Sequence, residues 1–373
     1  MPVHGMIDRV PAAARVMNAA VAILLFSVFL PHVADSGRAS EDRSEILASV
    51  NGARMMDTVG ELEDFGSRAF HLNTSEAAAV YIHGRFTELG LETSFQNFTF
   101  GGHMATNVIA VMPGQGTDPR TIVMGAHYDS ENMLATNLSL TRSLSAPGAD
   151  DDASGVAAVI ELATVMAGID SSDTLKFVAF GAEELGYDET GGLKGSSHFV
   201  SQEFAAGAAY ECAVIFDMIG YRSTNENRIT VVNRNSSDAF APQATQAVSD
   251  YGLDLKIAVK TSQIIDYSDH ASFWNVNYEA VLITEELAST VRPYPLNPYY
   301  HTSFDTSDKL SESQITEVTR CVAAVVLDLA GAGDVTAEGI GLSAFAALAA
   351  VIGVAVAVPT AFRIRRSRWR RRP

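Results

Sequence analysis

Cysteine and lysine are scarce in this chain of 373 residues: two cysteines, and only five lysines among 26 basic residues. Two cysteines allow at most one bridge, so no disulfide framework holds the fold. Cys212 opens an expected strand and Cys321 falls in the last expected helix, positions suited to small buried hydrophobes. A bridge between them is permitted outside the cytosol, and the sequence leaves it open. Positive charge is equally sparse over most of the chain. The net charge is −18, and the last eleven residues (RIRRSRWRRRP) carry seven arginines, so the rest sums to −18 − 7 = −25. That balance repels polyanions and excludes nucleic acid as a partner of the folded part. Internal repeats and interdomain linkers are absent between about Ser44 and Gly333, which predicts a single domain.

The two ends are different in kind. Arg9 and Arg15 precede a 15-residue apolar run, Val16–Leu30, followed by polar residues. This pattern over residues 1–40 reads as a signal peptide or an N-terminal anchor. Gly339–Phe362 has no charge over 24 residues, enough to span a bilayer. The arginine tail, 363–373, follows at once and predicts a cytoplasmic C-terminus. The expectation is a single-pass protein of the cell membrane, held there by its C-terminal helix, with domain 44–333 on the extracytoplasmic side. Four sequons (Asn73, Asn97, Asn137, Asn235) mark expected surface positions.

Between the ends, strands alternate with helices. Strands are expected at Glu92–Thr99, Asn107–Met112, Ile122–Ala126, Leu175–Phe180, Ala213–Phe216, Ile229–Val232, Leu255–Val259 and Ala280–Ile283. Helices are expected at Glu41–Glu63, Glu76–Leu89, Ser154–Ala167, Gly195–Phe204, Ser237–Tyr251, His270–Asn275 and Ser311–Ala330. The fold class is α/β, with a mostly parallel, mixed central sheet flanked by helices.

Sheets of this type place their sites where strands end. Strand TIVMGA delivers His127 and Asp129, and the run Asp150-Asp151-Asp152 precedes the helix that Ser154-Gly155 opens. Strand LKFVAFGA ends in Glu183-Glu184, strand AVIF in Asp217, and NPYYHTSFDTSD offers His301 and Asp305. A lone acidic residue in such a loop is usually a solvated charge. Acidic or histidine residues at the ends of several strands together instead suit zinc, which takes imidazole nitrogen and carboxylate oxygen. Asp269 and His270 of SDHASF read as structural or pocket-lining. Glu285-Glu286 stand either in the pocket, ready for a substrate ammonium, or as loop charges.

The motifs GAHYDS, PGADDDASG, FVAFGAEELG, FDMIG, SDHASF and YYHTSFDT occur in the order found in a known family. Over about residues 105–310 the chain resembles the co-catalytic zinc peptidases that include bacterial secreted aminopeptidases, glutamate carboxypeptidases and glutaminyl cyclases. The resemblance implies two Zn2+ ions per chain, with ligands at His127, Asp151, Glu184, Asp217 and His301. Asp151 would bridge, with Asp150 and Asp152 as rivals for that place. One ion would take Glu184 and His301, the other His127 and Asp217. Glu183 resembles the general base, and adjacent residues on an extended chain point to opposite sides, which would separate it from Glu184. Asp129 resembles the carboxylate that orients the His127 imidazole. Tyr300 stands either as a donor to the developing oxyanion or as a packing residue.

These features point first to an aminopeptidase acting on peptides. A carboxypeptidase or dipeptidase needs a cation for the substrate carboxylate, and only Arg222 and Arg292 offer one near the ligand-bearing loops. A glutaminyl cyclase ranks third, because its type uses one zinc. A non-catalytic receptor ectodomain is disfavoured, since the five ligands and Glu183 are all present. Specificity would come from the loops Glu131–Ala146 and Tyr187–Leu193. Zinc, cobalt or manganese as the working metal, and the oligomeric state, stay open.

Overall fold

The central strands are short apolar runs that bury both faces, and they pair with partly exposed edge strands into one eight-stranded sheet. The computed structural model describes residues 43–184, 192–235, 239–288 and 295–332. The N-terminal apolar run, the 339–362 span and the arginine tail lie outside the described residues, as does Arg292. Among the described residues no helix is long and apolar enough to cross a membrane.

The strands are β1 (Glu92–Phe100), β2 (His103–Met112), β3 (Thr121–His127), β4 (Thr174–Phe180), β5 (Tyr210–Phe216), β6 (Arg228–Asn233), β7 (Lys256–Thr261) and β8 (Ala280–Thr284). Their order across the sheet is β1-β2-β4-β3-β5-β8-β6-β7. β4, β3, β5 and β8 run parallel to their neighbours within this central group. β1 and β2 add antiparallel on one side, and β6 joins β8 antiparallel on the other. β7 then pairs parallel to β6 at the edge, so the sheet is mixed, as expected, with its longest parallel group at the centre.

Side chains alternate across a strand, and the two faces feed two cores. On β5, Cys212, Val214 and Phe216 enter one core, while Ala213 and Ile215 enter the other. The larger core holds buried residues from α2 (Gly52–Glu63), α3 (Asn73–Glu88), α5 (Gly155–Met166), α7 (Phe240–Asp250) and α9 (Glu312–Leu329). The smaller one holds Phe199 and Val200 of α6 (Lys194–Ala205) with Phe273 and Trp274 of α8 (His270–Asn275). Cys212 and Cys321 are both buried free thiols. All four sequon asparagines are exposed.

Two helical expectations need correction. The helix expected over Glu41–Glu63 is broken: α1 covers residues 43–49, and Asn51 then caps α2 by accepting the Arg54 N–H on its side chain. The loop after β3 contains a short helix, α4 (Leu138–Ser143), capped in the same way by Asn137.

Candidate metal centre

The central parallel strands all end at one edge of the sheet, and that edge collects the acidic and histidine residues. β3 ends in His127, β5 is followed by Asp217, and β4 by the turn that carries Glu183 and Glu184. Asp151 sits in the turn Ala149–Ser154 that leads into α5, at a non-helical φ of −111° and ψ of 87°, and His301 sits in the loop before α9. A cavity of about 720 Å³ opens onto them. It is lined by His127, Glu131, Asp151, Glu183, Glu184, Asp217, Tyr300 and His301, together with Leu193, Met218, Ile264 and Tyr267.

Asp151 occupies the middle. Its Oδ1 is 3.2 Å from His127 Nε2, and its Oδ2 is 3.1 Å from His301 Nε2. His301 Nε2 also lies 3.1 Å from Glu184 Oε2, and His127 Nε2 lies 3.9 Å from Asp217 Oδ1. Three sets of ligand atoms lie within 4.8 Å of one another: His127–Glu183–Asp217, His127–Asp151–Glu184 and Glu131–Glu184–His301. Both buried, Glu184 Oε1 has no hydrogen-bond donor and Asp151 Oδ2 has none besides the His301 imidazole. Such oxygens are costly unless a cation or proton takes them. The donor set, imidazole and carboxylate facing one another around this gap, fits zinc.

The neighbouring aspartates do something else. Asp150 Oδ1 accepts the Gly220 N–H at 2.7 Å, and its Oδ2 accepts from Asn297 Nδ2 at 2.8 Å. Asp152 Oδ1 accepts the N–H groups of Gly155 at 2.9 Å and Met218 at 3.1 Å. Of the three adjacent carboxylates, Asp151 alone lies between the two imidazoles. Gly148, at φ 55°, makes room for this turn: a Cβ there would come within 2.4 Å of the Asp151 carbonyl.

Asp129 stands beside His127 and also reaches the turn after β4. Its Oδ1 is 3.7 Å from His127 Nδ1, but the closer partner of that nitrogen is the Asp129 carbonyl, at 3.1 Å. The carboxylate oxygens also accept the N–H groups of Glu183 at 3.0 Å and Glu184 at 3.2 Å. The chain is not extended just before that point, because Ala182 has φ 58°. This turn, rather than strand alternation, sets the directions of Glu183, grouped with His127 and Asp217, and Glu184, grouped with His301. Leu193 (φ 60°), Met218 (φ 59°) and His301 (φ 55°) are also left-handed, so four strained residues sit in or beside the site.

Electrostatics follow from burial and crowding. Burial lowers the His127 and His301 pKa values, yet the carboxylates around them win: His127 is raised well above its ordinary value, by Glu183 first, and His301 to about 12 by Glu184 and Asp151. Burial would push the Asp151 carboxyl up, but His127 and His301 hold it well below the usual range. Burial raises Glu184 to about 8 and Glu183 well above its usual value. The pocket attracts cations. Tyr300 stacks on the His301 ring with centroids 3.8 Å apart, and burial, then Asp151 and Glu184, keep its phenol protonated.

His270 and Asp269 are fully buried, and His270 Nε2 lies 2.8 Å from the Ile265 carbonyl. Their place is structural. Glu285 and Glu286 line a small surface hollow with Arg222 rather than the pocket. Arg68 and Glu131 carry no signal in the sequence, and Asp305, offered by its motif, takes a supporting place. Arg68, fully buried, donates to the carbonyls of Leu62, Tyr128, Pro147 and Gly148. Glu131 Oε1 lies 3.3 Å from His301 Nδ1. Asp305 accepts the N–H groups of Asp150 and Asp151.

The chain belongs to peptidase family M28, whose model matches residues 107–326. It is a peptide hydrolase of that family. It is 28% identical over 290 residues to leupeptin-inactivating enzyme 1 of Streptomyces exfoliatus, covering 74% of this chain and 59% of the relative. The chain thus spans little more than half of that relative's length. Among solved structures, the LapA aminopeptidase of Legionella pneumophila superposes with a TM-score of 0.64 at 23% identity, covering 78% of this chain and 75% of that one. BSAP, a zinc aminopeptidase from Bacillus subtilis, superposes with a TM-score of 0.63 at 17% identity, covering 75% and 95%. At these identities the likeness to the two structures is one of fold.

Proposed function

We propose that this chain is a zinc-dependent aminopeptidase that removes N-terminal residues from peptides. The observation that carries the reading is the Asp151 carboxylate, with one oxygen toward His127 and the other toward His301. That arrangement suits a carboxylate shared by two ions, with Glu184 and His301 completing one site and His127 and Asp217 the other. Bound zinc would polarise the scissile carbonyl and make the attacking water more acidic.

The remaining work falls to the protein. Glu183 takes a proton from the attacking water and returns it to the leaving amine. Tyr300, neutral and facing the cavity, donates to the carbonyl oxygen as charge develops there. Asp129 fixes Glu183 and Glu184 together through their main-chain amides.

Selection of a free amine over a free carboxylate follows from the pocket walls. Among the described residues, carboxylates line the cavity and neither lysine nor arginine does. Arg222 instead lies 3.2 Å from Asn227 Oδ1 in the separate hollow. Glu183 and Asp266, which the proposed ions leave free, suit an ammonium, and no cation on the described walls pairs a substrate carboxylate. Leu193, Met218, Ile264 and Tyr267 give the cavity apolar surface for a side chain. Residues 44–333, stripped with chelator and reloaded with zinc, are to be assayed on amino-acid nitroanilides with free and blocked N-termini. Release from free-amine substrates only, and only with zinc, is the expected result. Equal turnover of blocked substrates overturns it.

The apolar ends extend the proposal to an exported protein, anchored by residues 339–362 in the cell membrane with the peptidase domain outside. Fractionation of cells, with external protease added to intact ones, tests this. Peptidase activity recovered in the cytosolic fraction sinks it.

A further inference from the structure

The two imidazoles of the centre are supported differently. His127 turns its Nδ1 toward a main-chain carbonyl two residues along its own strand end, at 3.1 Å. His301 turns its Nδ1 toward a side chain from another loop, Glu131, with Oε1 at 3.3 Å. We infer that Glu131 is a positioning residue for His301: it holds the imidazole tautomer and ring angle that present Nε2 to the ion shared with Glu184 and Asp151. The inference rests on the proposed zinc reading.

Several observations converge on it. His301 Nε2 is the atom that faces Asp151 and Glu184, both at 3.1 Å, so Nδ1 is on the far side of the ring. A carboxylate at that far nitrogen fixes the proton on Nδ1 and makes Nε2 a stronger donor to metal. Glu131 could instead be a ligand, since one of its oxygens lies within 4.8 Å of Glu184 and His301 ligand atoms. Its place beside Nδ1 argues for orientation. The same loop also holds the His301 main chain, because Met133 N–H donates to the His301 carbonyl at 3.1 Å. His301 needs that support, having the left-handed φ of 55° that a residue with a Cβ rarely adopts. The loop is itself braced. Asn132 donates to the Ser145 carbonyl at 2.8 Å and accepts the Leu134 N–H at 3.0 Å. Glu131 therefore stands on a fixed base, and its side chain is only partly exposed.

The test is a zinc titration against a competing chelator on wild type, Glu131→Ala and Glu131→Gln, with the melting temperature of each metal-free protein measured alongside. In Glu131→Ala, one of two zinc ions should bind about 10–100-fold more weakly, as for loss of other partners of metal-ligating histidines. The other ion and the metal-free melting temperature should stay as in wild type. Glu131→Gln, whose amide oxygen still accepts from Nδ1, should restore most of the lost affinity. Unchanged zinc affinities in Glu131→Ala overturn the inference and leave the zinc reading standing. Equal losses in the Gln and Ala variants also overturn it, because they make the charge a ligand. Failure of the wild type to hold two ions sinks the zinc reading itself.

Discussion

Asp305 grips the main chain of Asp151: its Oδ2 accepts the Asp151 N–H at 3.1 Å while its Oδ1 accepts that of Asp150 at 3.0 Å. Asp129 does the same to Glu183 and Glu184. The centre is thus held by carboxylates that bind backbone amides, leaving the oxygens of Asp151 and Glu184 to face inward. Replacing Asp305 by Ala releases two buried N–H groups next to the central carboxylate, each costing about 1–3 kcal/mol if left unpaired. Zinc affinity and kcat/KM should fall about 10–100-fold, as for other supporting residues of metal sites. Chelator titration of the variant checks it, and wild-type affinity would remove Asp305 from the scaffold.

Much of this architecture is legible in the sequence, for identifiable reasons. The central strands are short apolar runs with clear ends, so β3, β4, β5 and β8 are found close to their true bounds, and the chemistry follows from where they stop. What cannot be read is anything set by packing between distant segments. Arg68 lies in an unremarkable loop, and only the folded chain brings its guanidinium under Tyr128, Pro147 and Gly148. Asp150, Asp151 and Asp152 are equivalent as letters; the turn that separates them depends on Asp305 and on amides from residues 218–221. The short helix α4 has no apolar period long enough to register. Asn51 caps a helix and so breaks one that periodicity alone would continue.

Glu183→Gln is the variant that separates binding from chemistry. The amide fills the same space but accepts no proton, so turnover should drop by about 10²–10⁴-fold. The two-ion stoichiometry should survive, because the proposed ligands are untouched. A variant with normal kcat would take the general-base role away from Glu183.

Arg68 predicts a stability effect larger than its remoteness from the surface suggests. Its Nε donates to Tyr128 O at 2.7 Å and its Nη2 to Gly148 O at 2.8 Å, with further bonds to Leu62 and Pro147. Burial lowers its pKa, and the negative charges of Asp305, Asp129, Asp151 and Asp152 oppose that shift. Arg68→Met removes a buried cation from among carboxylates and strands four carbonyls, at about 3–5 kcal/mol by analogy with broken buried ion pairs. Lysine cannot span the same carbonyls with one ammonium, so Arg68→Lys should recover only part. Urea unfolding of the metal-free proteins measures both, and a loss under 1 kcal/mol (on the order of a surface change) contradicts the assignment.

The final prediction concerns pH. In the metal-free protein burial raises the carboxyls of Asp150 to about 6, Asp305 to about 7 and Glu184 to about 8. Between the ordinary carboxylate range and these values the folded chain holds protons that the unfolded chain has released. Stability then falls as pH rises through the window. His301, raised to about 12 by Glu184 and Asp151 against the effect of burial, extends the same slope above its ordinary value. His270 works the other way: burial lowers it to about 4, so its contribution is lost as pH falls toward that value. It is one group against several, and the net slope from pH 5 to 8 is downward. Zinc needs its ligands deprotonated, so its stabilising effect should grow over the same window. Melting temperatures of chelator-treated protein should therefore decline from pH 5 to pH 8, while the increment on adding zinc widens. A metal-free melting temperature that climbs over this range would mean that the buried carboxyls are not holding protons, and that the site is open to water before any ion arrives.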